Sequence, residues 1–394
     1  MSRPNVFGNC GHSELIVNSS SVNVVINESS FSSTNARSFL VNASSISMEI
    51  FNTSFGDNKC EGNGGVLFLK GIDFCKVNVS NSSFANTSSS QAGAFNVECM
   101  EVRFNLLASI FLRNEAANGN GGAVLISGHK VAVRFLNSSF TNSLANGSEV
   151  YGLGGALFVT SVAQPIHSSI FQANYLDNTL LLTVERCRFI GCSSENGGSL
   201  YVEHSKHLQL VIKHSDFIFN CAYYQGAALR TDYTATGFMT DDWRPRKTCI
   251  VETLIENSTF SRNEARVGSV LIMYGSNFHM TCSNLTFNKV IMDSNTAMDG
   301  STAVIFNVWK LKISQSRFLS NRAAGEAVGK EIRGAVKSTE VVDSIFDGNY
   351  FGKETYSRSS EGGGALTLIN YCFHCYYDRA FVFIINSTFN NCSA

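Results

Sequence analysis

Apolar and polar positions along this chain fall into two short alternating patterns, and neither has the spacing of a helix. The first reads roughly N-x-[ST]-x-F-x-x-N and stands at 52–58, 137–142, 257–263 and 386–391. Looser copies end in Phe31, Phe84, Phe111, Phe171, Phe189, Phe217, Phe287, Phe318 and Phe346. An Asn three residues past the Phe recurs as Asn58, Asn114, Asn174, Asn220, Asn263, Asn321 and Asn349. The second pattern reads G-G-[AS]-Φ-x-Φ, at 121–126, 154–159, 197–202 and 363–368, with weaker forms at 64–69, 92–97, 226–230 and 268–272. The Φ-x-Φ alternation has the period of two that marks a strand.

Successive Phe positions lie about 28 residues apart, an interval typical of solenoids, apart from two gaps of about 43 that call for an insertion or a degenerate coil. A right-handed parallel β-helix of about a dozen coils accounts for each repeated position. Coils stacked about 4.8 Å apart bring equivalent residues over one another, so the Phe becomes an internal aromatic stack. A repeated Asn at a bend satisfies turn backbone groups, and paired glycines turn a corner at positive φ. Val124 and Ile126 then point inward if Leu125 points out, and Leu157/Val159, Leu200/Val202 and Val270/Ile272 follow the same rule. A leucine-rich repeat is the rival, but its spaced leucines and Asn ladder are absent. The chain reads as one β-helix domain over 1–394, with loop insertions at 231–250 and 350–362.

The alternation of GGA plus an aliphatic residue with F-x-x-N resembles the repeat of polymorphic outer-membrane proteins. Here it stands as Gly121-Gly122-Ala123-Val124, Gly154-Gly155-Ala156-Leu157 and Gly364-Ala365-Leu366, with Phe55–Asn58, Phe111–Asn114, Phe260–Asn263 and Phe318–Asn321. The resemblance covers nearly the whole chain and implies a β-helical surface protein acting in adhesion. The chain departs from that family in lacking a C-terminal membrane barrel and in carrying sequons and cysteines. It is more similar to eukaryotic extracellular proteins that share these repeats.

Composition agrees with a strand-rich, packed chain. Hydrophobic residues make up 44% and charged residues only 15%; Ser, Thr and Asn supply the wet faces. Three prolines against 32 glycines leave the turns to Gly and Asn. A net charge of −1 offers nothing to a phosphate backbone, so no nucleic-acid partner is expected. No apolar run approaches the length of a membrane-spanning helix, and the first residues lack the apolar stretch of a signal peptide. That beginning, with an end in mid-repeat, points to a segment of something longer.

Twelve cysteines suit an oxidising compartment, as do N-x-[ST] triplets in excess of the roughly eight that chance would give. Of these, Asn52, Asn81, Asn137, Asn257, Asn284 and Asn386 sit three residues before a repeat Phe and should line one edge. Asn257 and Asn284 would then lie on successive coils, too close for two glycans. Cys221 follows Phe217 by nearly the spacing at which Cys192 follows Phe189, which places these two within disulfide reach on adjacent coils.

Candidate chemistry is sparse. Asp241-Asp242 is the one Asp pair, and the companion motifs of a polysaccharide-cleaving β-helix are missing. It reads as a surface loop, with a sugar-binding role for Trp243 as the alternative. Cys372-Phe373-His374-Cys375 is a single zinc half-site without a matching second pair, so disulfides are expected there. His204, His207 and His214 read as exposed strand or turn residues. No metal or cofactor is implied. The outward column of the GGA strand holds Phe68, Leu125, Phe158, Tyr201 and Leu271, which is either an exposed apolar contact face or a surface covered by other parts of the fold. The expected function is a non-catalytic extracellular or cell-surface segment, structural or adhesive, whose partners are glycans or cell-surface proteins. The rival is a polysaccharide lyase or glycoside hydrolase-like enzyme, distinguished by two or three carboxylates converging in one lateral groove.

Overall fold

A computed structural model describes residues 17–32, 39–147, 152–161, 178–204, 207–233, 251–274, 283–298, 302–306, 308–324, 338–352 and 381–392. Among them the chain is a parallel β-helix without any α-helix. Its strands form three sheets of 19, 12 and 9 strands, and every pairing between strands is parallel.

The twelve-stranded sheet is the spine. Its three-residue strands, from Ser30–Ser32 to Thr388–Asn390, stack with the repeat Phe opposite its equivalent at every rung but one. Phe55, Phe84, Phe111, Phe140, Phe189, Phe217 and Phe260 are all fully buried. Their rings stack face to face, 4.7 to 5.1 Å between centroids. The stack resumes from half-buried Phe318 through Phe346 to Phe389.

Between Phe260 and Phe318 the rung is Met292, which pairs with both. Phe287 was expected on this stack; it lies instead in the strand Ser283–Asn288 of the nineteen-stranded sheet, opposite Ile255 and Ile313. Phe171 is outside the described residues, and Phe140 pairs directly with Phe189, so no rung stands between them.

Wherever both corners are described, a spine strand is framed by two residues at positive φ. The first is three residues before the rung, as in Asn52 (50°), Asn81 (47°), Asn137 (50°) and Asn257 (46°). The second is two residues after it, as in Asp57 (54°), Asn86 (54°) and Asn142 (52°). Single left-handed residues turn the chain sharply, which is why Asn is so frequent there.

Two side-chain ladders flank the aromatic stack. On one side the hydroxyls of Ser82, Ser109 and Ser138 each accept the backbone N–H of the coil before, at 3.2 Å, and donate to the carbonyl two residues back. On the other side the Asn three past each rung form a buried ladder, Asn220, Asn263, Asn295, Asn321 and Asn349. Each of these amides also donates to the rung carbonyl of the preceding coil, as Asn263 does to Phe217 O at 3.0 Å. Turn backbone that would otherwise be buried unpaired is thereby satisfied.

The glycine corner works as expected. Gly64, Gly121, Gly154, Gly197, Gly226 and Gly268 all have φ between 63° and 70°. At the next residue a Cβ on Gly155 would land on the carbonyl of Gly198 in the following coil. The predicted insertions begin later than the sequence implied. Thr231 to Tyr233 belongs to the strand Leu229–Tyr233, and Tyr350–Gly352 is a strand of the nine-stranded sheet. The rest of both insertions lies outside the described residues.

Candidate functional site

The outward side of the GGA strands carries the densest polar chemistry among the described residues. Leu157–Thr160, Leu200–His204 and Leu229–Tyr233 run side by side in register, so that Phe158, Tyr201 and Arg230 form one column and Thr160, Glu203 and Asp232 the next. Alternation sends Leu200, Val202 and His204 inward and Tyr201 and Glu203 outward.

Two carboxylates therefore sit on adjacent coils at the same register, Glu203 beside Asp232. Asp232 is heavily engaged. Arg230 reaches it through Nε at 2.9 Å to Oδ1 and through Nη2 at 2.8 Å to Oδ2, and the Tyr201 phenol donates to Oδ2. The other arm of Arg230 donates to Asn196 Oδ1 at 2.6 Å, and its guanidinium lies 5.4 Å from the centre of the Tyr201 ring. Thr160 donates to Glu203 Oε2 at 3.1 Å. Burial pushes the Tyr201 phenol well above its ordinary range, and the Asp232 charge adds to this. The forked guanidinium–carboxylate geometry is the strong form of such a pair. With side chains only 16% and 17% exposed, it is braced on the sheet rather than dangling in water.

The apolar column beside this cluster is not the exposed stripe that the sequence allowed. Leu125, Phe158 and Tyr201 are 5%, 6% and 5% exposed, and they pack on one another, on Ala92 and on Leu153 at the glycine corner. Phe68 is half-buried. Leu271 is not in the column at all. It pairs with Leu229 and faces the core, fully buried, while Ile272 takes the outward place opposite Arg230. Asn96 and Arg230 interrupt the column, so it is not continuously apolar.

His204 departs further from expectation. It is fully buried at the inward end of its strand, edge-on to the Tyr233 ring at 5.6 Å, and neither ring nitrogen has a hydrogen-bond partner among the described residues. Burial pushes its pKa down to about 3.

Cys192 and Cys221 do not form the expected bridge; both are free. The true equivalent of Cys192 is Asn220, whose Oδ1 accepts the Cys192 N–H at 3.0 Å. Cys221 stands one residue later, opposite Ser193, and so points to the other face. Cys192 is fully buried and Cys221 exposed. Cys187 likewise takes a place in the hydroxyl ladder, where its N–H donates to Ser215 Oγ. A disulfide does join Cys75 to Cys99 on adjacent coils, with Cα atoms 5.9 Å apart.

Among the sequon residues, Asn52, Asn81, Asn137 and Asn386 are exposed and Asn257 is half-buried, all at the first left-handed corner. Asn284 is on the nineteen-stranded sheet opposite Glu252 and Lys310. It is therefore no neighbour of Asn257 along that edge; the coil equivalent of Asn257 is Lys289, also at positive φ. Trp243, Asp241, Asp242, Cys372, His374 and Cys375 lie outside the described residues.

Among the described residues no group of three or more His, Cys, Asp or Glu could hold a metal ion, and no helix is long and apolar enough to cross a membrane. The chain matches no family model, no curated protein and no solved structure.

Proposed function

We propose that this chain is a non-catalytic extracellular or cell-surface β-helix, a structural or adhesive segment whose lateral surface meets glycans or proteins, of the kind that carries GGA/F-x-x-N repeats. The observation that carries the reading is the engagement of Asp232. Arg230 and Tyr201 between them occupy both of its oxygens, so the best-placed carboxylate braces neighbouring coils instead of standing ready for proton transfer, which needs a group within reach of the substrate. The exposed sequon corner and the Cys75–Cys99 bridge support a secreted setting.

The rival is a polysaccharide-cleaving enzyme, favoured by one observation, the in-register neighbours Glu203 and Asp232. The test is to incubate the purified chain with a panel of polysaccharides and to pass cell-surface glycans and glycoproteins over immobilised protein. The expected result is retention without new reducing ends or unsaturated products. Turnover that disappears in Glu203→Gln would establish the enzyme reading instead.

A further inference from the structure

The stretch from Phe219 to Gln225 breaks the rules of the coil twice, and both breaks bring aromatic rings into solvent. Phe219 occupies the second left-handed corner, at φ 56°. Equivalent corners elsewhere hold Asp57, Asn86, Asn142, Asn391, Gly191 and Gly348, and also Arg113, Arg262, Ser294 and Ser320; among the described corners Phe219 alone is aromatic. A bulky side chain there costs about 1–2 kcal/mol, and Phe219 recovers little by burial, since it is 53% exposed. Four residues on, the strand Cys221–Gln225 slips register against both neighbours. Ala222 pairs with Ser194 and Ala265, but Gln225 pairs with Asn196 and Val267, so Tyr223-Tyr224 stand opposite a single residue on either side. This is a β-bulge, a device that re-aims side chains. Tyr223 is 69% exposed, the highest value among the large apolar and aromatic side chains described.

Neither irregularity buries its ring; both put an aromatic side chain into solvent within five residues of one coil. Tyr224 abuts the Tyr223 ring edge-to-face at 4.6 Å, and Arg262 of the next coil lies 5.3 Å from the centre of the Phe219 ring. Between the rings stands exposed Cys221, in register with exposed Glu264. Backbone strain retained at an exposed aromatic points to use rather than to stability.

We infer that Phe219 and Tyr223 form a carbohydrate-binding platform, with Arg262 and Glu264 hydrogen-bonding the hydroxyls of a glycan chain laid along the strand. The face of an aromatic ring is electron-rich and attracts the polarised C–H faces of a pyranose. Phe219 and Tyr223 are exposed, and the charged Arg262 and Glu264 stand in the next coil beside them. Rings mixed with charged donors and acceptors suit a hydroxyl-rich ligand better than the continuous apolar face of a helix. The inference rests on the proposed surface role and names one place where that role is performed.

The test is a glycan array, neutral and acidic, probed with the full chain, Tyr223→Ala, Phe219→Asn and Tyr223→Phe. Tyr223→Ala and Phe219→Asn should each lose about tenfold in affinity, while Tyr223→Phe keeps binding. Phe219→Asn should also raise the unfolding midpoint, because Asn suits the left-handed corner, and that separates ligand contact from a structural role. Glycan binding unchanged in both ring variants, or retention of proteins but of no glycan, would overturn the platform and leave the surface role standing. Cleavage of bound glycan would overturn the surface role itself. A fall in stability in Phe219→Asn would show the ring to be structural and overturn the platform.

Discussion

The Asn220 side-chain amide donates to Asn263 Oδ1 at 3.0 Å, and the same oxygen accepts the Asn220 backbone N–H at 3.0 Å. One side chain thus satisfies two donors of the coil before it. It donates in turn to Phe217 O and to Asn295 Oδ1. Asn263→Ala leaves several buried groups without partners, at about 1–3 kcal/mol for each group left unpaired. A drop of about 3 kcal/mol in stability is expected in urea unfolding, with a smaller drop for Asn349→Ala, whose two donated bonds are only partly buried although the two it accepts from Asn321 are buried.

The aromatic stack should distinguish a missing ring from a substituted one. Phe189→Ala removes a fully buried ring between Phe140 and Phe217 and should cost about 3–5 kcal/mol. Met292→Phe restores the repeat at a rung that already holds a long apolar side chain, and should change stability by less than about 1.5 kcal/mol. Thermal melts of the two variants check both. A Met292→Phe loss as large as that of Phe189→Ala would show that the stack cannot continue through this rung.

Thiol reactivity should follow the ladders. Burial pushes the Cys192 thiol up to about 12 and the Cys187 thiol up to about 11. Neither forms thiolate near neutrality; partial burial and the Glu264 carboxylate push the Cys221 thiol up as well, but that residue is exposed. Alkylation of the native chain followed by peptide mapping should label Cys221 first, and Cys187 and Cys192 only on unfolding. Non-reducing maps should contain the Cys75–Cys99 peptide pair. A Cys192–Cys221 pair would contradict the register.

His204 sets an acid limit. Its folded pKa, about 3, lies below the ordinary histidine value near 6.5, so the unfolded chain binds the proton more readily. Stability from this residue is complete above about pH 6.5 and falls as pH drops toward 3, by about 1.4 kcal/mol per pH unit. Unfolding midpoints at pH 7, 6 and 5 should decline in the parent chain. In His204→Leu the decline should be distinctly shallower, and an equally steep one would mean that other groups carry the acid sensitivity.

Glycan occupancy should be limited at Asn52 and Asn81. These occupy the same corner on successive coils, where Asn52 N–H donates to Ser80 O at 3.2 Å, and both are exposed. Coils about 4.8 Å apart leave no width for two branched glycans. Glycopeptide mass spectrometry of material from a eukaryotic secretory host should find one or the other modified, seldom both; near-complete double occupancy would mean that the side chains diverge.

The spine was legible from the sequence because each rung repeats a residue of one kind between turn residues of another. Where identity lapses, the motif misleads. Met292 went unseen because Phe287 mimics the motif, with a sequon three residues before it; the better signal was Asn295, three residues past Met292. Leu271 was misplaced by one position because Gly268-Ser269-Val270 lacks the second glycine that fixes the frame. Cys192 and Cys221 were matched by spacing alone, although Asn220 already held the ladder position. The brace of Tyr201, Arg230 and Asp232 had no motif at all. It joins residues from two coils through sheet register, which only the assembled ladder supplies. The irregularity at Phe219 was equally silent, since a left-handed Phe looks in sequence like any other.

Phe140 stacks on Phe189 at 5.0 Å, within 0.3 Å of the spacing of Phe84 on Phe111, although the chain travels much farther between the first pair than between the second. The ladder counts coils, not residues. Any excursion begun after one rung is forgotten at the next, because two left-handed corners and a phenylalanine re-establish the phase. Such a rod can accept foreign sequence between its rungs as a printed page accepts a marginal note, without resetting the lines that follow.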